Sequence, residues 1–519
     1  MMNSNKVSHT LTLLALGLLW CVVTIVILEK TGCVIVDGFQ SLGAAAQSRF
    51  PGDLRWDGLG GFMGYDRTWG FHWFGWPLAY SFLSSLCGWF SLQATIVVTA
   101  LWFCSALLVR RLWTLDSPDR VRFYGSIVLM MALLMQPLFL VAAQSFRPEI
   151  ATACLLLLWA HDCTVPNRVG TFLRRRVLLA ILPSFHPLGF VVPLAWMIWQ
   201  GFSCYRKRRI ISRNDCMDLL VLLAGLALFS CWYLRADMAA GRQLVSNIQQ
   251  QAVLTRAMDL SYDALLSKGF LTMPMKLAWP WLLLATLYAC YAIVKKNTDT
   301  IAARVNQLSA IAWYSALAFL IVTKNPNPLH LVAVLPFALM LSATAVSDSY
   351  SYLQRNYLRF SLLLLLCACL CITSLMMAKR LYLLTSLGYS YRAELRSLYM
   401  EQAQKTAGTI YIPVSLWEVA CEQRNNFNYR FSTFPNILVT EQRIASEQRV
   451  FAEAIAGDLC IIDEHQEIAG VFNEYPETAL KQKWCLPWKS EQWEKVEVIR
   501  LSSKGVQGTS SEFTVYRKK

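Results

Sequence analysis

Charge is what this sequence has least of. Only 16% of its 519 residues are Asp, Glu, Lys or Arg, against about 25% in an ordinary soluble chain. So few charges leave too little polar surface for a single solvated globule. The 16 Cys include no CxxC pair, which excludes the usual spacing of zinc and thiol-redox sites. Most of them, such as Cys367, Cys369 and Cys371, lie in apolar runs and read as small buried hydrophobes. No Gly-rich phosphate loop is present in the C-terminal region, and no internal repeat or low-complexity segment occurs anywhere.

What the chain has instead is apolar length. Hydrophobic residues make up 55%, with 19 Trp and 20 Tyr suited to two interfacial belts. Apolar runs near the length of a membrane crossing lie at 11–28, 92–109, 124–143, 148–160, 217–234, 277–294, 306–323, 328–346 and 360–378. The first is flanked by Glu29-Lys30-Thr31-Gly32 rather than by a small-residue cleavage site, so it reads as an uncleaved helix.

Segment 169–202 lies between Arg174-Arg175-Arg176 and Arg206-Lys207-Arg208-Arg209. Both flanks belong in the cytoplasm, so the chain must enter the membrane and return. Pro183 and Pro187 break the helix between them, predicting two short helices with a Pro-rich tip at His186. Broken backbone at membrane depth is tolerated only against protein or a wet cavity. With this hairpin counted as two, the expected fold is an α-helical polytopic membrane protein of about eleven helices.

The sign of the charges agrees with that count. Arg110, Arg111, Arg120, Arg122, both basic clusters, Lys295, Lys296, Arg304, Arg355 and Arg359 fall on the cytoplasmic side. The stretch 29–75, by contrast, carries five acidic and four basic residues on the outer side. The formal net charge of +15 is therefore a topology signal and does not imply nucleic acid. Segment 76–91 would invert every later loop if it crossed, so it is expected to lie in the outer interface. The reading predicts two domains: a membrane domain over 1–378, including the outer loop 29–91, and an extracytoplasmic soluble α/β domain over 379–519. In the latter, 409–413 and 458–463 look like strands, and 415–423 and 441–456 look helical. Cys33, Cys421, Cys460 and Cys485 fall outside, where a disulfide among the last three is compatible with the compartment.

Several residues on the outer side have chemical potential. Asp37, Asp53, Asp57 and Asp66 alternate with Trp56, Trp69, Trp73 and Trp76. Carboxylates there suit a general base or a cation site, and aromatic faces suit sugar rings; the plainer reading is a solvated loop with an aromatic belt. Arg147 and Glu149 flank Pro148 at an outer helix junction, either as a functional boundary charge or as a local pair. His186 sits at the hairpin tip, as a site residue or a hydrogen-bonded core histidine. Lys324 and His330 bound a Pro-rich junction, where Lys324 is either an interface anchor or a phosphate ligand. Arg147, His186, Lys324 and His330 all fall at outer helix ends, which suits an anionic lipid head group.

In this order and sidedness the pieces resemble the type-C glycosyltransferase fold, in the branch of the protein O-mannosyltransferases and bacterial lipid A aminoarabinose transferases. The resemblance spans about 30–350 and rests on Val36-Asp37-Gly38-Phe39 with Asp53 downstream, Trp76-Pro77, Arg147-Pro148-Glu149, His186-Pro187-Leu188-Gly189, and Lys324 through His330 with Pro336. It implies an inverting glycosyltransferase that uses a polyprenyl-phosphate-linked sugar donor and a lipid, glycan or protein acceptor. Asp37 would be the catalytic base and Arg147 and Lys324 phosphate ligands, with His186, His330, Glu149 and Asp53 also binding substrate. Two positions depart from the family pattern: Gly38 replaces an acidic residue after Asp37, and His186 stands where Lys is frequent. Some relatives use a divalent metal, for which Asp37, Asp53 and Glu149 offer ligands. The expected location is a bacterial inner membrane, N-terminus cytoplasmic and C-terminal domain periplasmic. The rival readings are a transporter or lipid flippase, for which a broken hairpin also speaks, and a membrane-anchored binding domain, for which the helices are too many.

Overall fold

The computed structural model describes residues 4–31, 75–76, 79, 82, 91–115, 120–144, 146–165, 169–208, 210, 212–237, 273–294, 300–322, 328–352, scattered positions in 368–382, 391–413, 416, 419–420, 423, 426, 429–433, 452–463, 491–502 and 512–519. Its helices are α1 (Ser4–Thr31), α2 (Ser91–Trp113), α3 (Arg120–Leu134), α4 (Pro137–Gln144), α5 (Pro148–Thr164), α6 (Val169–Phe185), α7 (Pro187–Arg206), α8 (Arg213–Asp237), α9 (Met273–Val294), α10 (Ile301–Val322), α11 (Leu335–Tyr352) and α12 (Tyr391–Gln404). A 3-10 segment, η1 (Pro328–Ala333), precedes α11.

Among the described residues, Ala94–Trp113, Pro187–Arg206 and Arg213–Cys231 are long and apolar enough to cross a membrane. Gly125–Leu140 and Pro280–Val294 are shorter apolar helices. The protein is mostly helical and polytopic in character. The expected segment 360–378 falls mostly outside the described residues, as does the interfacial segment 76–91.

Prolines divide the chain differently from the sequence reading. Run 124–143 is not one helix: it breaks between α3 and α4 at Met135-Gln136, with Pro137 as the first residue of α4. Proline has no N–H to continue the helix and pushes its predecessor out of the helical region. The buried Gln136 amide repairs the break by donating to the Ala132 carbonyl at 2.9 Å. In the hairpin only Pro187 breaks the chain; Pro183 lies inside α6. Nor are its helices short, since α6 has 17 residues and α7 has 20. Run 328–346 likewise divides into η1 and α11, with Pro336 in the first turn of α11.

Inside the bundle, Trp102 stacks on Phe139 with ring centroids 4.9 Å apart, and its indole N–H donates to the Leu133 carbonyl at 3.1 Å. Helices α6, α7 and α8 approach closely at glycines. A Cβ on Gly189 would stand 2.3 Å from the Leu182 carbonyl oxygen, and one on Gly225 would stand 2.4 Å from that of Ala180. Only a residue without a side chain lets these backbones meet.

The arginines at 174–176 have partners that lie inside apolar runs. Arg174 pairs with Asp162 at the end of α5. Arg175 meets Asp218 of α8 at 2.5 Å and Arg176 meets it at 3.3 Å. Asp162 and Asp218 are buried, so the basic cluster ties α5, α6 and α8 together at one end.

After α12 come β1 (Ile410–Pro413), β2 (Tyr429–Thr433), β3 (Leu459–Ile462), β4 (Trp493–Arg500) and β5 (Glu512–Lys518). They form one sheet in the order β2-β1-β3-β5-β4. β1 is parallel to β2 and β3, and β5 is antiparallel to β3 and β4. The expected strands at 409–413 and 458–463 are β1 and β3. Of the expected helix at 415–423, only Leu416 and Val419–Ala420 are helical among the described residues, and 441–456 falls mostly outside them. Cys460 is buried in β3 and is not part of a disulfide; Cys421 and Cys485 lie outside the described residues. Arg392 of α12 joins this region to α1 through Glu29, at 2.6 Å.

Replacing Asp218 with Ala strands Arg175 in a buried site. The expected loss is about 3 kcal/mol of stability, read as a lower unfolding midpoint in detergent. The double variant Asp218→Leu with Arg175→Met should recover most of it. A midpoint unchanged in Asp218→Ala would mean that the pair does not hold the helices.

Candidate functional site

Three chain junctions meet at the other end of α5. The first is the turn from α4 into α5. Phe146 has φ 46, a left-handed conformation that is uncommon for a bulky residue. Two contacts hold it there. Its N–H donates to the Ala143 carbonyl at 3.1 Å, and its carbonyl accepts the Trp76 indole N–H at 2.8 Å. The turn delivers Arg147 as the N-cap of α5, Pro148 inside the first turn and Glu149 just after it. A carboxylate at a helix N-terminus is favoured by the helix dipole.

The second junction is the hairpin tip. His186, directly before Pro187, is extended at φ −164 and ψ 150, as a residue before proline prefers. It also caps α7: Leu188 N–H donates to His186 Nδ1 at 3.2 Å. Ordinarily a Ser, Thr, Asp or Asn does this. The third junction is η1, which carries His330.

These junctions converge on one oxygen. Glu149 is fully buried. Arg147 Nη2 donates to its Oε1 at 2.7 Å, and Arg147 Nε lies 3.0 and 3.1 Å from Oε1 and Oε2. His330 Nδ1 lies 2.8 Å from Oε1, His186 Nε2 lies 3.5 Å from it, and the two histidine nitrogens are 3.0 Å apart. Phe319 of α10 packs edge-on against both imidazoles, at 5.9 Å and 5.5 Å between centroids.

The contacts assign the protons. Because His186 Nδ1 accepts from Leu188, a neutral ring carries its proton on Nε2, facing the cluster. Because His330 Nδ1 faces a carboxylate oxygen at 2.8 Å, its proton sits on Nδ1. The two ring N–H groups then converge on Glu149, and the 3.0 Å contact between these nitrogens is an approach of two donors rather than a hydrogen bond. His330 Nε2 is then the nitrogen turned away from the carboxylate, on a side chain 20% exposed. A carboxylate behind an imidazole is an arrangement that can accept a proton at the far nitrogen and donate it again.

Glu149, His186 and His330 offer ligand atoms within 4.8 Å of one another, close enough for one divalent cation to touch all three. Their contacts suit protons better. Glu149 Oε1 already takes donors from Arg147 and His330, and His186 Nε2 is the protonated nitrogen. A metal needs that nitrogen's lone pair. The group does not fit a bound metal as it stands.

Of the residues expected from sequence, Arg147, Glu149, His186 and His330 are brought together. Asp37, Asp53 and Lys324 lie outside the described residues. The Arg147–Glu149 pair, one of the two readings of that turn, is present. The sequence reading missed Phe319 and Phe146. An aromatic residue inside an apolar helix gives no signal of its own, and a positive φ leaves no mark at a residue other than glycine.

No protein-family model matches this sequence, and no curated protein matches it. Solved structures do. The structure of ArnT from Cupriavidus metallidurans bound to undecaprenyl phosphate superposes with a TM-score of 0.57 at 11% identity, covering 98% of each chain. Its apo form gives 0.56 at 10% identity, over 99% of this chain and 98% of that one. The chain has the type-C glycosyltransferase fold. A weaker likeness, TM-score 0.46 at 13% identity, is to a mutant of the arabinofuranosyltransferase AftD from Mycobacteria, covering 97% of this chain and 41% of that one.

Histidine nitrogen NMR on the protein in nanodiscs checks the proton assignment. His186 should read as the Nε2–H tautomer and His330 as Nδ1–H, with neither signal moved by added zinc. Glu149→Gln should abolish the His330 preference. Opposite tautomers, or zinc-dependent shifts of both rings, would show that the cluster is built for a cation.

Proposed function

We propose that this protein is an inverting glycosyltransferase that moves a sugar from a polyprenyl-phosphate donor to an acceptor on the outer face of the membrane. The observation that carries the reading is the convergence of Arg147, Glu149, His186 and His330 at one end of a type-C fold. The ArnT structure with undecaprenyl phosphate supports a lipid-phosphate carrier for this fold. The sidedness of the charges supports the topology. α5 runs from Glu149 at the cluster to Asp162 at the arginine end, roughly 20 Å at 1.5 Å per residue. The arginine end is then cytoplasmic, and the cluster and C-terminal domain are periplasmic, in a bacterial inner membrane. Eleven crossings within 1–378 and a soluble domain over 379–519 complete this organisation.

In this reading Asp37 takes the proton of the acceptor hydroxyl as that oxygen attacks the anomeric carbon. The bond to the phosphate oxygen breaks with inversion, and negative charge grows on the leaving phosphate. Lys324 stabilises that charge from the junction before η1. His330, with Glu149 behind it, presents a ring nitrogen that can carry a proton to a phosphate oxygen. Arg147 holds Glu149 and adds to the positive potential, while His186 fixes the tip of the hairpin. Asp53 contributes to acceptor binding in the outer loop, and the C-terminal domain shapes its entrance. No step is assigned to a metal.

The test is transfer of labelled sugar from a panel of polyprenyl-phosphate sugars by purified protein in lipid. Asp37→Asn should lower kcat by roughly 10²–10⁴-fold, as for loss of a general base. His330→Gln should lower it by about 10²-fold, as for loss of one group that stabilises developing charge. Full turnover by Asp37→Asn removes the base assignment. No turnover with any donor, together with substrate-dependent movement of lipid or solute across the bilayer, favours a transporter.

A further inference from the structure

A second polar site lies at the opposite end of α10. There the last turn of α2, the last turns of α9, the first turns of α10 and the last turns of α11 enclose a cavity of about 300 Å³. Its wall includes Trp113, Tyr288, Asn306, Gln307, Thr344 and Asp348. The volume is at the lower end for small-molecule sites, and equals about ten waters at 30 Å³ each. Phe319, which packs on the two histidines, lies thirteen positions after Asn306 on the same helix, roughly 20 Å along its axis. The cavity is therefore distinct from the histidine cluster.

Its polar groups are organised. The Tyr288 hydroxyl donates to Asp348 Oδ2 at 2.6 Å. Thr344 Oγ1 lies 2.9 Å from the Met340 carbonyl oxygen, to which it donates, and 3.1 Å from the Asn306 side-chain amide, which it holds against the wall. Gln307 is 4% exposed and lines the cavity. Among the described residues no side-chain hydrogen bond to its amide occurs. That leaves its amide open to a group in the cavity.

The chemistry of the wall selects the class of ligand. Asp348 is the one charged side chain among the described lining residues, which disfavours phosphates and other anions. Two amides and a carboxylate can bind neighbouring hydroxyls, the amide N–H donating to one oxygen and the carboxylate accepting from the next. Trp113 and Tyr288 supply aromatic surface for C–H groups. We propose that this cavity is a binding site for a hydroxyl-rich, non-anionic group of monosaccharide size. The group could be a free sugar or amino sugar, or the head group of a neutral glycolipid in that leaflet.

The test uses the full chain in nanodiscs. Thermal shift and calorimetry are run with a panel of neutral sugars and amino sugars, with the same sugars as phosphates, and with discs containing or lacking a neutral glycolipid. Wild type should be stabilised by at least one non-anionic sugar or by the glycolipid, with affinity at least tenfold weaker in Gln307→Leu and in Asp348→Asn. A response to free sugar identifies a soluble source, and a response to glycolipid discs alone identifies a lipid head group. Tryptophan quenching in wild type, lost in Trp113→Phe, reports binding without relying on the polar variants. Preference for the sugar phosphates, equal affinity in the two polar variants, or no response to any sugar or glycolipid overturns the proposal.

Discussion

One buried carboxylate organises one end of this helical bundle. Glu149 has no exposure to solvent, and an unpaired charge there would cost several kcal/mol. Its partners come from the turn before α5, from the tip between α6 and α7, and from η1. None of these junctions follows another in the chain; the sequence separations are 2, 37 and 181 residues. Satisfying the carboxylate therefore requires three helix ends to reach the same depth. Proline makes each junction: Pro148 and Pro187 begin helices directly after Arg147 and His186, and Pro328 begins η1. The prolines place chain ends where side chains can turn inward, and the charge draws those ends together.

The opposite end follows the same rule with the signs reversed in the sequence pattern. There the arginines are conspicuous and the acids are hidden, whereas at the Glu149 end all four groups stand near helix starts. Asp162 and Asp218 hold α5, α6 and α8 against one another, while the middle of the bundle relies on aromatic stacking and on glycine contacts such as Gly189 against Leu182. A bundle pinned by charge at both ends and packed by shape between them can keep its histidine cluster in register. Catalytic geometry depends on positions fixed to within a fraction of an ångström.

Much of this architecture was legible because hydropathy reports helices directly. The runs at 92–109, 148–160 and 277–294 lie within α2, α5 and α9, and the basic flanks of 169–202 forced a return at His186. The meeting of Arg147, His186 and His330 at one end of the bundle followed from their placement at helix ends. Their hydrogen bonds did not, because sidedness places residues at a surface without choosing partners across it. The break at Pro137 was obscured by the apolar residues on both sides, where composition continues although the backbone cannot. Asp162 and Asp218 were missed for a related reason. A single acid beside or within an apolar run barely changes its mean hydropathy, and its role depends on an arginine brought near by folding. Cys460 was read with the outer cysteines, but its burial in β3 makes it a core residue.

The Arg147–Glu149 pair also constrains how a phosphate could be held in the proposed reaction. A guanidinium that donates through both Nε and Nη2 to one carboxylate has given up one of its two bidentate edges, and its field is partly offset by its partner. A phosphate arriving at this end would therefore draw less on Arg147 than a lone arginine would offer. The balance must come from groups that Glu149 does not neutralise at close range. His330 is suited to this, since the carboxylate contacts Nδ1 and leaves the far nitrogen to the open side. Lys324, six positions earlier in the sequence, is the other candidate. The departure at the hairpin tip fits this logic. A lysine in place of His186 would add a second full charge against Glu149, whereas a histidine supplies a cap for α7 and one proton for the cluster.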